Sequence, residues 1–125
     1  MTIKEYQDLA MRTNDGKSTD RLSDIIGLNI HCNNYHRVGE LLNGALGLTG
    51  EAGEVADEIK KHIFHGHRLD LDAICKELGD VMWYIALICS ALNISLEYVM
   101  TQNINKLMER YPEGFSSEAS KHRKV

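Results

Sequence analysis

From residue 35 to residue 111 the apolar positions recur at helical spacing, and no proline breaks the pattern. The only proline, Pro112, stands at the end of that stretch, where it stops a helix. No long run alternates apolar and polar residues as a half-buried strand would. The chain is therefore expected to be all-α, a four- to five-helix bundle. The spacing predicts three main helices over roughly 35–64, 71–92 and 95–111, and a short one over 3–12. Gly66 falls in the loop after the first long helix, and Ser95 is placed to cap the last. Residues 13–34 carry weaker signals: Asn14 to Ser18 reads as a turn, and Asp24 to Ile30 as a short helix. The polar tail 116–125 is expected to be loose. The 125 residues suit one domain, with 1–34 as an N-terminal extension.

At about 100° per residue, Leu41, Ala45, Leu48, Ala52, Val55, Ala56, Ile59 and Ile63 form one stripe of the first long helix. In the second, Ile74, Leu78, Val81, Ile85, Ile88 and Leu92 do the same. From Val81 to Leu92 this second helix is apolar nearly all round and must be buried on every side. A four-helix monomer of this length cannot supply that much cover. A homo-oligomer follows, dimer or tetramer, with this helix near the subunit interface.

The acids are arranged as two pairs, Glu51-Ala-Gly-Glu54 and Glu77-Leu-Gly-Asp80. Each pair is spaced i, i+3, so each puts two carboxylates on one helix face, flanking the apolar stripe rather than opposing it. Two such helices side by side hold four carboxylates around one space. Like charges packed so closely repel unless a cation lies between them, and oxygen-only donors suit Mg²⁺ or Mn²⁺. Phosphate chemistry is the commonest use of such an ion. Glu58 extends the acidic face by one turn, as an extra ligand or a supporting group.

On the last helix Asn103, Lys106 and Arg110 share one flank of the stripe Leu96, Met100, Ile104, Leu107 and Tyr111. Arg donates two parallel hydrogen bonds to a phosphate and Lys acts as a point charge. Alone, a cationic helix flank is usually just solvated; beside the acidic pairs it points to a polyphosphate. Trp83 and Tyr84 follow Asp80 within one turn, and either stack on a base or pack in the interior. Gly44, Gly47, Gly50 and Gly53 each cost about 1 kcal/mol in a helix interior. Close packing, close ligand approach or a later helix start would account for them.

The runs Gly47-Leu-Thr-Gly-Glu-Ala-Gly-Glu-Val55, Lys76-Glu-Leu-Gly-Asp-Val-Met-Trp-Tyr84 and Asn103-Ile-Asn-Lys-Leu-Met-Glu-Arg-Tyr-Pro-Glu-Gly-Phe115 closely resemble MazG-like nucleoside triphosphate pyrophosphohydrolases. These belong to the all-α superfamily that also holds dimeric dUTPases and dCTP pyrophosphatases. The resemblance covers about residues 38–116. It implies hydrolysis of a nucleoside triphosphate to the monophosphate and pyrophosphate. It implies Glu51, Glu54, Glu77 and Asp80 as Mg²⁺ ligands, Lys106 and Arg110 as phosphate contacts and Asn103 as a substrate contact. Glu54 is the candidate general base, and Mn²⁺ is an alternative ion. Residues 13–34 match no pattern of the family. A non-catalytic nucleotide sensor built on the same residues is the alternative function.

Other readings are disfavoured. A di-iron carboxylate bundle needs Glu-x-x-His, which the chain lacks. The net charge of −4 gives no basic field for nucleic acid. No apolar run spans a bilayer and no signal peptide is evident, so a cytoplasmic protein is expected. Cys32, Cys75 and Cys89 are odd in number and form no C-x-x-C, which fits reduced thiols. His62, His65 and His67 read as a surface loop, His31 and His36 as isolated side chains, and Lys60 and Lys61 as a solvated helix end.

Overall fold

In the computed structural model, which describes residues 1–25 and 33–121, every regular element is a helix. In chain order these are α1 (Ile3–Met11), α2 (Lys17–Ile25), α3 (Asn33–His65), α4 (Leu71–Ala91), α5 (Leu96–Arg110) and α6 (Ser117–Lys121). The all-α expectation holds, and the bounds of α1, α3, α4 and α5 follow the apolar periodicity closely.

Local chemistry sets several of these ends. Thr2 and Glu5 cap α1 reciprocally: the Glu5 N–H donates to Thr2 Oγ1 (3.1 Å) and the Thr2 N–H to Glu5 Oε2 (2.6 Å). Asp70 caps α4 by accepting from the Ala73 N–H at 2.9 Å, and Ser95 caps α5 by accepting from the Tyr98 N–H at 3.0 Å. Gly66 turns the chain out of α3 at φ +71°, a conformation that favours glycine.

The α3–α4 hairpin is the spine of the fold. Its two helices approach unusually closely, because Gly44 lies against Ile88 and Gly47 against the Tyr84 ring. Close helix packing therefore explains these two glycines, and α3 begins well before either of them. α1 runs antiparallel to α4 and is fastened at two levels. Trp83 Nε1 donates to the Ala10 carbonyl (3.1 Å) and to Thr13 Oγ1 (2.7 Å). Near the other end, Gln7 Nε2 donates to Ser90 Oγ (3.1 Å), while Gln7 Oε1 accepts from the Leu96 N–H (3.0 Å). Asn14 Nδ2, just beyond α1, donates to Glu40 of α3 (3.1 Å).

Two expectations need correction. α2 starts at Lys17, inside the span Asn14 to Ser18 that reads as a turn; the turn itself is made by Asp15, whose carboxylate accepts the Lys17 N–H, and by Gly16 at φ +73°. Of the short helix expected over Asp24 to Ile30, Asp24 and Ile25 fall at the end of α2, and residues 26–30, with His31 and Cys32, lie outside the described residues. The tail is not wholly loose, since Ser117–Lys121 forms α6. The apolar stripes are only partly covered within one chain: Ala45, Ala52 and Ala56 are exposed, Ile63 is 61% exposed, and Leu78 and Leu92 are also open.

Among the described residues the buried apolar side chains are Ala86, Leu87, Cys89, Ala91 and Leu96, grouped where α1 crosses the α4–α5 junction. Burial also pushes the Cys89 thiol up from its ordinary value, which keeps it protonated and inert. α5 leaves α4 at a bend of 104° and presents Met100, Ile104, Leu107 and Met108 to solvent. The chain exposes 9629 Å², whereas a compact chain of 14.1 kDa exposes about 6,700 Å². No single described helix is long and apolar enough to cross a membrane.

Candidate functional site

The glycine contacts fix the register of the hairpin. Gly44 meets Ile88 and Gly47 meets Tyr84, so α4 runs backwards past α3 at nearly equal pace. One further turn along that register sets Glu51 level with Asp80 and Glu54 level with Glu77. Carboxylate oxygens of Glu51, Glu77 and Asp80 do converge, all within 4.8 Å of one another. Glu51 and Glu77 are half-buried and Asp80 is exposed. The two acidic motifs, distant in sequence, thus share one space between two helices.

The electrostatics of that space register at Glu77. Its pKa is raised by desolvation first, then by the negative charges of Glu51, Asp80 and Glu54, and by a hydrogen bond shared with Glu51. Glu54 stands outside the converging trio, yet its charge reaches Glu77. A cluster of carboxylate oxygens with one member pushed toward its protonated form is a donor set suited to a hard divalent cation, which would replace the proton.

One turn further on, the acids have other partners. Glu58 accepts from Lys61 Nζ at 2.7 Å, and Asp57 pairs with both Lys60 and Lys61. Lys60, then Lys61, holds the Asp57 carboxyl down to about 2. The Lys61 ammonium is correspondingly held well above its ordinary range, by Glu58 first and then Asp57. Glu58 is therefore engaged by a lysine.

Trp83 is half-buried, with its N–H occupied by α1. Its ring packs edge-on against Tyr84, with centroids 5.0 Å apart. The Tyr84 ring in turn lies on Gly47. Both aromatics make packing contacts in this chain and both remain partly exposed.

Asn103, Lys106 and Arg110 are exposed on α5. Asp80 lies eleven residues before the end of α4 and Lys106 ten residues into α5, which is turned away by 104°. At 1.5 Å per residue these segments separate the two groups by roughly 20 Å. His62 and His65 lie in the last turn of α3, not in a loop, and His67 in the loop after it; His62 Nδ1 is 2.9 Å from the His67 carbonyl and the three rings are exposed.

Sequence reasoning missed Tyr6. Burial, and then the charge of Asp80, push its phenol above the ordinary value. No spacing rule links a short N-terminal helix to an acid so far along the chain; an aromatic residue on its apolar face was the sole signal.

Helices that hold a carboxylate cluster across an antiparallel pair define a class of all-α proteins built around an acidic centre. Residues 41–115 match the MazG nucleotide pyrophosphohydrolase domain, and the chain belongs to that family. Over 76 residues it is 43% identical to the gene 37 protein of Mycobacterium phage L5, a match covering 55% of this chain and 64% of that protein. The chain thus spans just under two thirds of that relative's length. No solved structure was found to match it.

Proposed function

We propose that the protein hydrolyses nucleoside triphosphates to nucleoside monophosphate and pyrophosphate in a Mg²⁺-dependent reaction, Mn²⁺ serving as a substitute. The observation that carries this reading is the convergence of Glu51, Glu77 and Asp80 within 4.8 Å in a chain of the MazG family. Glu51, Glu77 and Asp80 hold the ion, with Glu54 as the fourth carboxylate of the site. When bound, Mg²⁺ neutralises phosphate charge and polarises the phosphoryl group under attack.

Glu54 has a distinct part. Because it stands outside the trio, it is the carboxylate best placed to take a proton. A water oxygen bonds to the α-phosphorus, the bond from that phosphorus to the α–β bridging oxygen breaks, and the proton of the water passes to Glu54. Pyrophosphate leaves with the electron pair of the broken bond. Lys106 and Arg110 bind its oxygens and offset the developing charge, and Asn103 adds an amide contact. Trp83 and Tyr84 shape the wall behind Asp80, with the exposed edge of either available to a base.

Lys106 and Arg110 reach the acids from a second copy of the chain. The in-chain separation of roughly 20 Å supports this reading. The exposed apolar residues of α5 and the excess of exposed area supply the surface for it. A homodimer or homotetramer is the proposed working form, acting in nucleotide-pool housekeeping in the cytoplasm, with no nucleic-acid or membrane partner.

The test is pyrophosphate release from a panel of NTPs and dNTPs, with Mg²⁺ and with EDTA, and free phosphate assayed in parallel. Metal-dependent pyrophosphate with the monophosphate is expected, and the ranking names the substrate. Nucleotide binding without release of either product would instead make the protein a sensor.

A further inference from the structure

We propose that His65 and His67, at the turn between α3 and α4, form a binding site for Zn²⁺ that is separate from the acidic centre. Glu54 stands eleven residues before His65 on α3, roughly 16 Å along the helix. The two sites also differ in chemistry: imidazole nitrogens suit Zn²⁺, whereas carboxylate oxygens suit Mg²⁺.

The turn holds the two histidines in place. His65 is the last residue of α3, and Gly66 at φ +71° turns the chain so that His67 comes back toward the helix. Both backbone polar groups of His67 are tied to α3. Its N–H donates to the Lys61 carbonyl at 3.2 Å, and its carbonyl lies 2.9 Å from His62 Nδ1. A carbonyl only accepts, so His62 Nδ1 carries the proton and donates it. The rings of His65 and His67 stand with centroids 6.2 Å apart, at 67° to one another. With Zn–N bonds of about 2.0–2.1 Å and a tetrahedral angle, two imidazoles on one ion have centroids about 5 Å apart. Both side chains are exposed and free to rotate, which closes the remaining gap of about 1 Å. Among the described residues no third histidine, cysteine or carboxylate converges on the pair. Water therefore completes the tetrahedron, and the ion stays exchangeable. Local charge does not oppose a cation. Three cationic residues stand against four acidic ones from Asp57 to Asp72, and Lys60 and Lys61 are paired with Asp57 and Glu58.

The test uses the full chain and Zn²⁺ as probe, with the imidazole nitrogens followed by ¹H–¹⁵N NMR in excess Mg²⁺. One equivalent of Zn²⁺ is expected to shift the ring nitrogens of His65 and His67, which Mg²⁺ alone leaves unmoved. His65→Ala and His67→Ala are each expected to abolish the shift at the ring that remains. Neither variant should change the unfolding temperature in EDTA, since both rings are exposed. Unmoved rings in the wild type, equal movement of all 6 histidines, or a shift that survives in either variant would overturn the proposal. A response confined to these two rings would support it whether or not the acidic centre binds Mg²⁺.

Discussion

Replacing Gly47 with alanine tests the link between helix packing and the acidic centre. A Cβ at this position would lie 2.1 Å from Tyr84 Cε1, 2.2 Å from Cζ and 2.6 Å from Cδ1. Carbon atoms rest at about 3.5–4.0 Å, so the ring or the helices must give by roughly 1.5 Å. The ring has little room to move. It packs edge-on against Trp83, and Trp83 is tied to α1. Overpacking by one methyl costs about 1–3 kcal/mol, and an overlap this large belongs at the upper end. Alanine returns about 1 kcal/mol of helix propensity, leaving a net loss of about 2 kcal/mol. For a chain of this length that is a fall of about 8 °C in the unfolding temperature. Gly50 is the internal control, since nothing lies within 4 Å of a Cβ there. Gly50→Ala should gain about 1 kcal/mol and raise the transition by about 4 °C. Both are read by thermal unfolding at one fixed protein concentration, because the proposed assembly would make the transition concentration-dependent. Gly47→Ala should also cost activity out of proportion to its stability, since a displacement of about 1 Å at reacting groups can cost about 100-fold in rate. Adding Tyr84→Ala should recover much of the lost stability through the coupling between the two sites. Stability of Gly47→Ala at or above wild type would refute the reasoning, because it would show that the helices are not held at glycine distance.

Other consequences follow from the same geometry. Glu77→Gln should abolish pyrophosphate release while leaving the metal-free fold at least as stable at neutral pH. The folded Glu77 carboxyl is raised above its ordinary value of 4.5, so the folded state binds its proton more tightly than the unfolded state does. Metal-free stability therefore falls as pH rises from about 4.5 through that raised value, and the Gln variant should lose this slope; unfolding in EDTA between pH 4 and 8 measures it. Lys106→Ala should weaken triphosphate binding or turnover, and wild-type kinetics would remove Lys106 from the site. Ile104→Glu, on the exposed face of α5, should shift the chain toward monomer in light scattering and lower activity at the same time; a monomer with full turnover would show that Lys106 and Arg110 need no second copy.

What could be read from the sequence divides along a physical line. Helices, caps and the pairing of acids at i, i+3 are short-range properties, and they were legible because neighbouring residues determine them. The meeting of Glu51 with Asp80 depends on how α3 and α4 are registered, and the residues that set this register carry no charge at all. Gly44 and Gly47 lie two turns and one turn ahead of Glu51 and admit Ile88 and Tyr84, so the absence of two side chains brings the carboxylates together. A glycine that costs helix propensity is visible in sequence; the partner that fills its space is not. The same limit hid where the N-terminal helix docks. Ties such as Gln7 to Ser90 and Trp83 to Ala10 join residues remote in the chain, and no periodicity announces them. The direction of α5 was hidden for a related reason: its stripe from Leu96 to Tyr111 shows that one face needs cover, while the 104° bend after α4 decides whether this chain or another provides it. If that bend carries Lys106 and Arg110 away from the acids, the apolar residues left open on α5 and the completion of the acidic centre become one problem, and the proposed second copy of the chain would solve both.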